Sequence, residues 1–410
     1  MKDKKWDLKR AMELNRQSTI IPEAKIVRII LIFYIGYIVF SLLGNIVIKY
    51  TGIAAVPLML FLLYVICLLH GVILGLALPF IKIERPVNIK FKAVVIILFM
   101  ICCMTTLLAW YLNIKHYGSL VYIFAHSFVI RESSIGQSEG IIPVYVTYIN
   151  SFLYCLFALL LIGYHYTRRK YCIVLSVLTF ILVIFTDLLT FGRIGILYCL
   201  FILFAYFILF RKVRINLRVI IGITALFLIL NLPRMIRGGF DNFEGSVSAF
   251  KNFLYYDIPP IFNSVITVYT YYFSSLFAFS NYYEHQHIEF TYGDITFNPI
   301  VNIYNRFIAH NERVSLIADP VYIPFRTNIY SIVKDLYQDF GVIGIILPPI
   351  FFGIIIGYIF KSGSITGQAL KIYILAWVFY TPIYNPFSFA TFLISFFMLI
   401  LISLLIKLKF

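Results

Sequence analysis

Apolar runs of about twenty residues follow one another along most of this chain, and a run of that length with few charges is what a helix needs to cross a bilayer. They fall at roughly 26–48, 53–80, 93–114, 141–164, 172–190, 194–210, 219–232, 341–360, 372–385 and 387–406. The seventh is short and the Asn385-Pro386 dipeptide splits the last two, so the count is about ten and at most about twelve. Composition agrees: 61% of residues are apolar and 13% charged, against about 45–50% and about 25% in soluble domains. The pattern predicts an all-α polytopic membrane protein. It excludes a soluble enzyme, a DNA-binding module and a disordered scaffold.

The net charge of +16 then has to be read across a bilayer. With the N-terminus cytoplasmic, the inner segments are 1–28, 81–92, 165–171, 211–218, 361–371 and 407–410. They hold 23 of the 34 Lys and Arg, although the outer segments are longer. This is the positive-inside distribution, and it puts both termini in the cytoplasm. The basic charge marks the inner leaflet and not a nucleic-acid partner. The chain divides into a basic N-terminus (1–25), an N-terminal bundle of about seven spans (26–232), a large outer loop (233–340) and C-terminal spans (341–410). Inside the loop, 253–280 is rich in aromatic residues and reads as an interfacial helix or a membrane-dipping pair. The run after residue 25 is too long for a signal-peptide core and lacks a small-residue cleavage site.

The six cysteines all lie in or beside apolar runs, which implies no disulfide framework and no zinc site. No D-x-D, Walker A, G-x-S-x-G or H-E-x-x-H motif occurs, which argues against a metal-dependent nucleotide-sugar enzyme, an ATPase, a serine hydrolase and a zincin. His285 and His287, with Glu284 and Glu289, have strand-like spacing and are weak metal ligands on that ground. His116 and His126 read as interfacial residues at helix ends.

Arginines near the outer boundary are the main polar candidates. Asp187-Leu-Leu-Thr190-Phe-Gly192-Arg193-Ile-Gly195 joins two spans by a tight outward turn. Its glycines let the backbone bend and approach closely, which fixes Arg193 at the interface. There it faces a lipid phosphate or simply snorkels. Pro233-Arg234-Met-Ile-Arg237-Gly238-Gly239 sets two arginines beside a glycine pair, a cradle for an anion or a solvated helix end. Asn302-Ile-Tyr304-Asn305-Arg306, His310, Arg313 and Arg326 add basic groups to a compartment otherwise poor in them.

Two stretches of the outer loop carry a resemblance. Thr327-Asn328-Ile-Tyr330 leads through Asp335 to Tyr337-Gln-Asp339-Phe340-Gly341-Val-Ile-Gly344, and Phe290-Thr-Tyr292-Gly293-Asp-Ile-Thr296-Phe297 precedes it. With the Thr190-Phe-Gly192-Arg193 turn, they resemble the Wzy-type O-antigen and capsule polymerase family. There an Asn-x-Tyr and a Tyr-x-Asp-Phe-Gly lead into a late span, and a Gly-x-x-Thr lies in the long outer loop. The order of motifs and the layout agree over nearly the whole chain. Arg234 and Gly245 match an R-x10-G pattern of some members, but this composition supplies about one such match by chance.

The resemblance implies polymerisation of undecaprenyl-diphosphate-linked repeat units on the outer face of the bacterial plasma membrane. It implies no metal and no cofactor, and a chain-length regulator and a flippase as partners. Arg193, Arg306, Arg313 and His310 are then the catalytic candidates. Arg234, Arg237, Arg326, Asn328, Tyr330, Tyr337 and Asp339 are the substrate-binding ones. The alternatives are a ligase or other lipid-carrier glycosyltransferase with the same arginine chemistry, and a flippase or exporter. A transporter should show repeats and midplane charges, and the sequence shows neither.

Overall fold

A computed structural model describes residues 23–80, 87–127, 130, 141–189, 191–210, 252–256, 263–286, 288–305, 308 and 320–409. The chain is an all-α membrane protein. Helix α1 (Glu23–Val47) and α2 (Ala55–Ala77) form a first hairpin. A short strand β1 (Val87–Lys90) enters α3 (Phe91–Tyr117), which a one-and-a-half-turn helix α4 (Leu120–Ala125) follows. Helices α5 (Val144–Asn150) and α6 (Phe152–Thr167) are nearly continuous, α7 (Lys170–Leu188) turns back, and α8 (Ile194–Phe210) follows.

The region from 252 onward supplies two 11-residue helices, α9 (Asn263–Phe273) and α10 (Ser275–His285), and a third short one, α11 (Asn298–Tyr304). A two-residue hairpin, β2 (Val321–Tyr322) with β3 (Arg326–Thr327), precedes α12 (Ile332–Phe360). Helices α13 (Ile365–Tyr380) and α14 (Ala390–Leu405) and strand β4 (Ile406–Lys409) complete the order.

Among the described residues six helical segments are long and apolar enough to cross a membrane: 25–47, 55–77, 91–117, 144–167, 170–188 and 332–360. Three more, α8, α13 and α14, are apolar but have only 16 or 17 residues. The run at 219–232 lies outside the described residues. The aromatic stretch forms the pair α9–α10, and neither helix is long enough to span. The late span starts earlier than its hydropathy suggests, at Ile332, with a break at Gly341 (φ 61, ψ −144). The interruption at Asn385-Pro386 is a 3-10 turn over 386–388, and the Asn385 side chain caps it.

Helix α13 is the centre of the bundle, with every residue from Thr366 to Tyr380 buried. A helix this apolar suits either lipid or a protein core, and here neighbouring helices enclose it on every side. It packs against α6, α8, α12 and α14. Trp377 rests between Phe387 and Phe396, with ring centroids 5.2 and 4.8 Å away. Lys371, assigned above to an inner loop, belongs to this helix and is buried, with its ammonium 5.7 Å from the Phe360 ring.

The tightest packing joins α2 to α12. A Cβ on Gly71 or Gly75 would lie 2.2 Å from the carbonyl oxygens of Ile350 and Ile354, and one on Gly353 or Gly357 would lie 2.3 Å from those of Leu68 and Val72. Both helices thus present Gly-x-x-x-Gly faces, and the two backbones touch.

The turns collect at two ends. At one, Ile48 bridges Leu254, the Ala54 N–H donates to Ser280 Oγ (2.8 Å), and the Ile332 N–H donates to the Thr381 carbonyl (2.9 Å). At the other, β1 pairs in parallel with β4, Val87 opposite Ile406 and Lys90 opposite Lys409. There Lys361 Nζ donates to the carbonyls of Leu76 (2.7 Å) and Leu78, a cation on the C-terminal end of α2.

Candidate functional site

The end opposite β1 and β4 holds the groups singled out from the sequence. The chain leaves α7 through Phe191, whose φ is +47, and the Gly192 N–H returns to the Asp187 carbonyl at 2.8 Å. The Asp187 carboxylate then accepts from the N–H groups of Gly195 (3.2 Å) and Ile196 (2.7 Å), and so caps the start of α8. Gly195 is needed for this approach, because a Cβ there would meet Tyr154 Oη at 2.5 Å and Asp187 Oδ1 at 2.8 Å.

The turn fixes the Arg193 backbone, and the ring of Tyr271 on α9 fixes its side chain. The guanidinium carbon is 3.7 Å from the ring centroid, a close cation–π contact. The Tyr271 hydroxyl donates to Tyr384 Oη at 3.3 Å, and so ties α9 to the turn between α13 and α14. Among the described residues no carboxylate pairs with Arg193 and no acceptor takes a hydrogen bond from it. A half-buried guanidinium, held on an aromatic face with its donors unused, suits an anion that arrives from outside the chain.

The two motif stretches of the long loop are partners of one another. Asp339 is fully buried. Its carboxylate accepts from the Thr291 hydroxyl and from the N–H groups of Ile295 (3.2 Å) and Thr296 (2.6 Å). The N–H groups of Thr291 and Tyr292 donate to the carbonyls of Gln338 and Asp339, both at 3.1 Å. Gly293 (φ +105) lies against Phe340, and Gly341 (φ +61) lies against Phe290. Both glycines adopt a backbone that side chains disfavour, so the motifs dock as a unit. This loop reaches the last turn of the bundle through Ser388 Oγ, which donates to the Ile295 carbonyl at 2.8 Å.

Asp339 therefore holds the loop, and all the donors around it come from the chain. Tyr330 is buried beside Tyr282, and these two rings flank Lys334 Nζ at 5.1 and 5.0 Å. Lys334 also pairs with Asp335 at 3.7 Å. Tyr337 packs on Tyr283 and Phe279. Asn328 is exposed, and the backbone of Arg326 pairs with Tyr322. Asn302 donates to Asn298 Oδ1 at 2.7 Å. Arg234, Arg237, Gly245, Arg306, His310, Arg313 and His287 lie outside the described residues.

Among the described residues no group of three or more His, Cys, Asp or Glu is placed to hold a metal. Of the aromatic stretch, Tyr272 donates to the Phe379 carbonyl (2.9 Å), Tyr269 donates to the Phe40 carbonyl, and Phe273 stacks on Tyr37. These three are packing residues, and Tyr271 alone of the four meets Arg193. The Tyr271–Arg193 pair and the Tyr282–Lys334 contact were not legible in the sequence, because no local spacing links positions so far apart in the chain. No protein-family model matches this chain, and no curated protein or solved structure gives a significant match.

Proposed function

We propose that the chain is a metal-independent glycosyltransferase of the bacterial plasma membrane. In this reading it polymerises undecaprenyl-diphosphate-linked repeat units into a surface polysaccharide. It has about ten spans, both termini in the cytoplasm, and its large late loop outside. The observation that carries the reading is Arg193, a guanidinium stacked on Tyr271 with no carboxylate partner among the described residues, in a turn at the loop-bearing end.

The reaction asks for such a group. An acceptor sugar hydroxyl attacks the anomeric carbon of the donor glycan, and the bond from that carbon to the carrier diphosphate breaks. The diphosphate leaves with the electron pair, and the hydroxyl proton passes to a base, either a carboxylate or His310. Arginine stays charged at every step and holds two phosphate oxygens at once, so it stabilises charge as it accumulates on the leaving group. Arg306 and Arg313 add to the same field from the loop, and Arg234, Arg237 and Arg326 bind the headgroup or glycan.

The test is polymer formation from purified lipid-linked repeat units in proteoliposomes. A ladder of products made by the wild-type chain alone supports the reading, and no elongation with any lipid-linked donor removes it. Deletion in cells separates the alternatives. Loss of a polymerase leaves single repeat units on the final acceptor, loss of a ligase leaves long chains on the carrier, and loss of a flippase leaves nothing outside.

A further inference from the structure

Helix α11 is built inside out. An amphipathic helix in a water-facing loop turns its apolar stripe to the protein and its polar side to solvent. Here the outward side chains are Ile300, Ile303 and Tyr304, which are 60%, 51% and 52% exposed, and Phe297 before them and Ile308 after them are exposed as well. Positions 297, 300, 304 and 308 recur at intervals of three and four, the spacing of one helical stripe. The inward side is polar: Asn298 is buried, and its Oδ1 accepts from Asn302 Nδ2 at 2.7 Å. No residue from Phe297 to Asn305 carries a charge. Water is a poor neighbour for such a face.

What α11 is fastened to identifies the better one. The segment leading into it docks on Asp339, just before the break in α12, and α11 itself packs on the 386–388 turn. The Phe297 ring is 6.4 Å from that of Phe340, and Phe290 lies against Gly341. From the next residue onward α12 exposes Val342 and Ile343. This helix is long and apolar enough to span, and the exposed apolar side of a spanning helix faces hydrocarbon. The outward face of α11 therefore begins where the lipid-facing side of α12 begins, and continues it. A second copy of the chain seated on α11 would have to displace lipid from α12 as well, whereas a bilayer meets both surfaces at once. Tyr304, apolar in its ring and polar at its tip, suits the headgroup boundary.

We propose that α11 lies in the membrane interface at the loop-bearing end, with Ile300, Ile303 and Tyr304 turned into the lipid leaflet. The partner of this surface is the bilayer itself. Because the preceding residues are locked to Asp339, the anchor holds the two docked motifs at headgroup level. The inference is independent of the glycan-transfer reading, and its test needs no turnover.

The full chain with Ile300→Cys or Ile303→Cys is spin-labelled and reconstituted in phosphatidylethanolamine–phosphatidylglycerol vesicles. The native cysteines are buried or half-buried, and the wild-type chain carried through the same labelling gives the background. Oxygen concentrates in hydrocarbon and a nickel chelate in water. The ratio of oxygen to nickel collisions should be several-fold higher at both positions than for Glu284→Cys, an exposed carboxylate position on α10. A ratio equal to that at Glu284 would put α11 in open water and overturn the proposal. Few collisions with either reagent would mean that protein covers the face, a second copy if spin–spin broadening appears, and would overturn it equally. Should the labelled chains fail to fold, p-benzoylphenylalanine in place of Tyr304 exchanges one aromatic ring for another. Irradiation in the same vesicles should give an adduct of phospholipid mass. Cross-linking to protein alone, or no adduct, overturns the proposal.

Discussion

Arg193 and Asp339 are both charged residues at the loop-bearing end, and their surroundings give them opposite tasks. The donors of Arg193 are unused among the described residues, whereas the oxygens of Asp339 are filled by a hydroxyl and two N–H groups. Each hydrogen bond to a charged group contributes roughly 1.5–3 kcal/mol, and 1.36 kcal/mol is a factor of ten in rate. If the chain performs the proposed glycan transfer, Arg193→Ala should slow it about ten- to a hundred-fold or more at matched protein level. Arg193→Lys keeps the charge and loses the bidentate fork, and should fall between Arg193→Ala and wild type. Wild-type activity for Arg193→Lys with purified lipid-linked substrate would return the residue to a snorkelling role. Asp339→Ala leaves three donors without their acceptor and should destabilise the fold by about 3 kcal/mol or more. Its signature is a lower thermal midpoint in detergent, together with fewer intact molecules. A normal midpoint with lost turnover would instead make Asp339 a substrate ligand. The Asp187 to Gly195 turn was legible because Asp, Gly and Arg sat together in nine residues. The occupied state of Asp339 was not, because the groups that fill it lie more than forty residues upstream.

At the scale of elements, hydropathy located the long spans and misplaced their ends. It set the late span to begin at Gly341, where the backbone breaks, because the turns before the break carry Lys334, Asp335 and Asp339. Those charges are buried or paired by the loop and its tyrosines, and a window average cannot register such compensation. The strands β1 and β4 were likewise hidden: Ile-Lys-Leu-Lys alternates, but four residues are too few to separate a strand from a helix end. The Gly-x-x-x-Gly faces of α2 and α12 were visible in the letters, though which helix each one meets was not. They make a sharp prediction. Gly353→Leu forces a side chain into the Leu68 carbonyl and the backbone beside it. It should separate the helices and leave the protein aggregated or degraded on size-exclusion chromatography. Gly36→Ala, where a Cβ meets nothing within 4 Å, should leave the elution profile unchanged. An intact, monodisperse Gly353→Leu protein would show that the close crossing is dispensable.

For the whole molecule, the charge alternation and the grouping of turns at two ends describe the same arrangement by different routes. The first counts Lys and Arg, and the second follows backbone contacts. The end that bears β1 and β4 contains the basic segments around Lys90, Lys361 and Lys409, and the other end contains the loop. Cysteines at Glu289 and Ser138 should react with a membrane-impermeant thiol reagent in intact cells or spheroplasts. One at Lys170, exposed at the start of α7, should react only after lysis, as should one at Lys212. Labelling at Lys170 alone would invert the protein and put the loop on the wrong face for the proposed polymer assembly. The touching backbones of α2 and α12 also have a consequence in time. Some 250 residues lie between Ala77 and Ile332, and a ribosome adding about 5–20 residues per second needs on the order of 13–50 s to make them. For that interval α2 stands in the bilayer with a bare glycine seam, while the helices between it and α12 are being made. The seam must stay unclaimed until its partner arrives, so the narrow shape that only another glycine face fits serves as a reservation held open during synthesis.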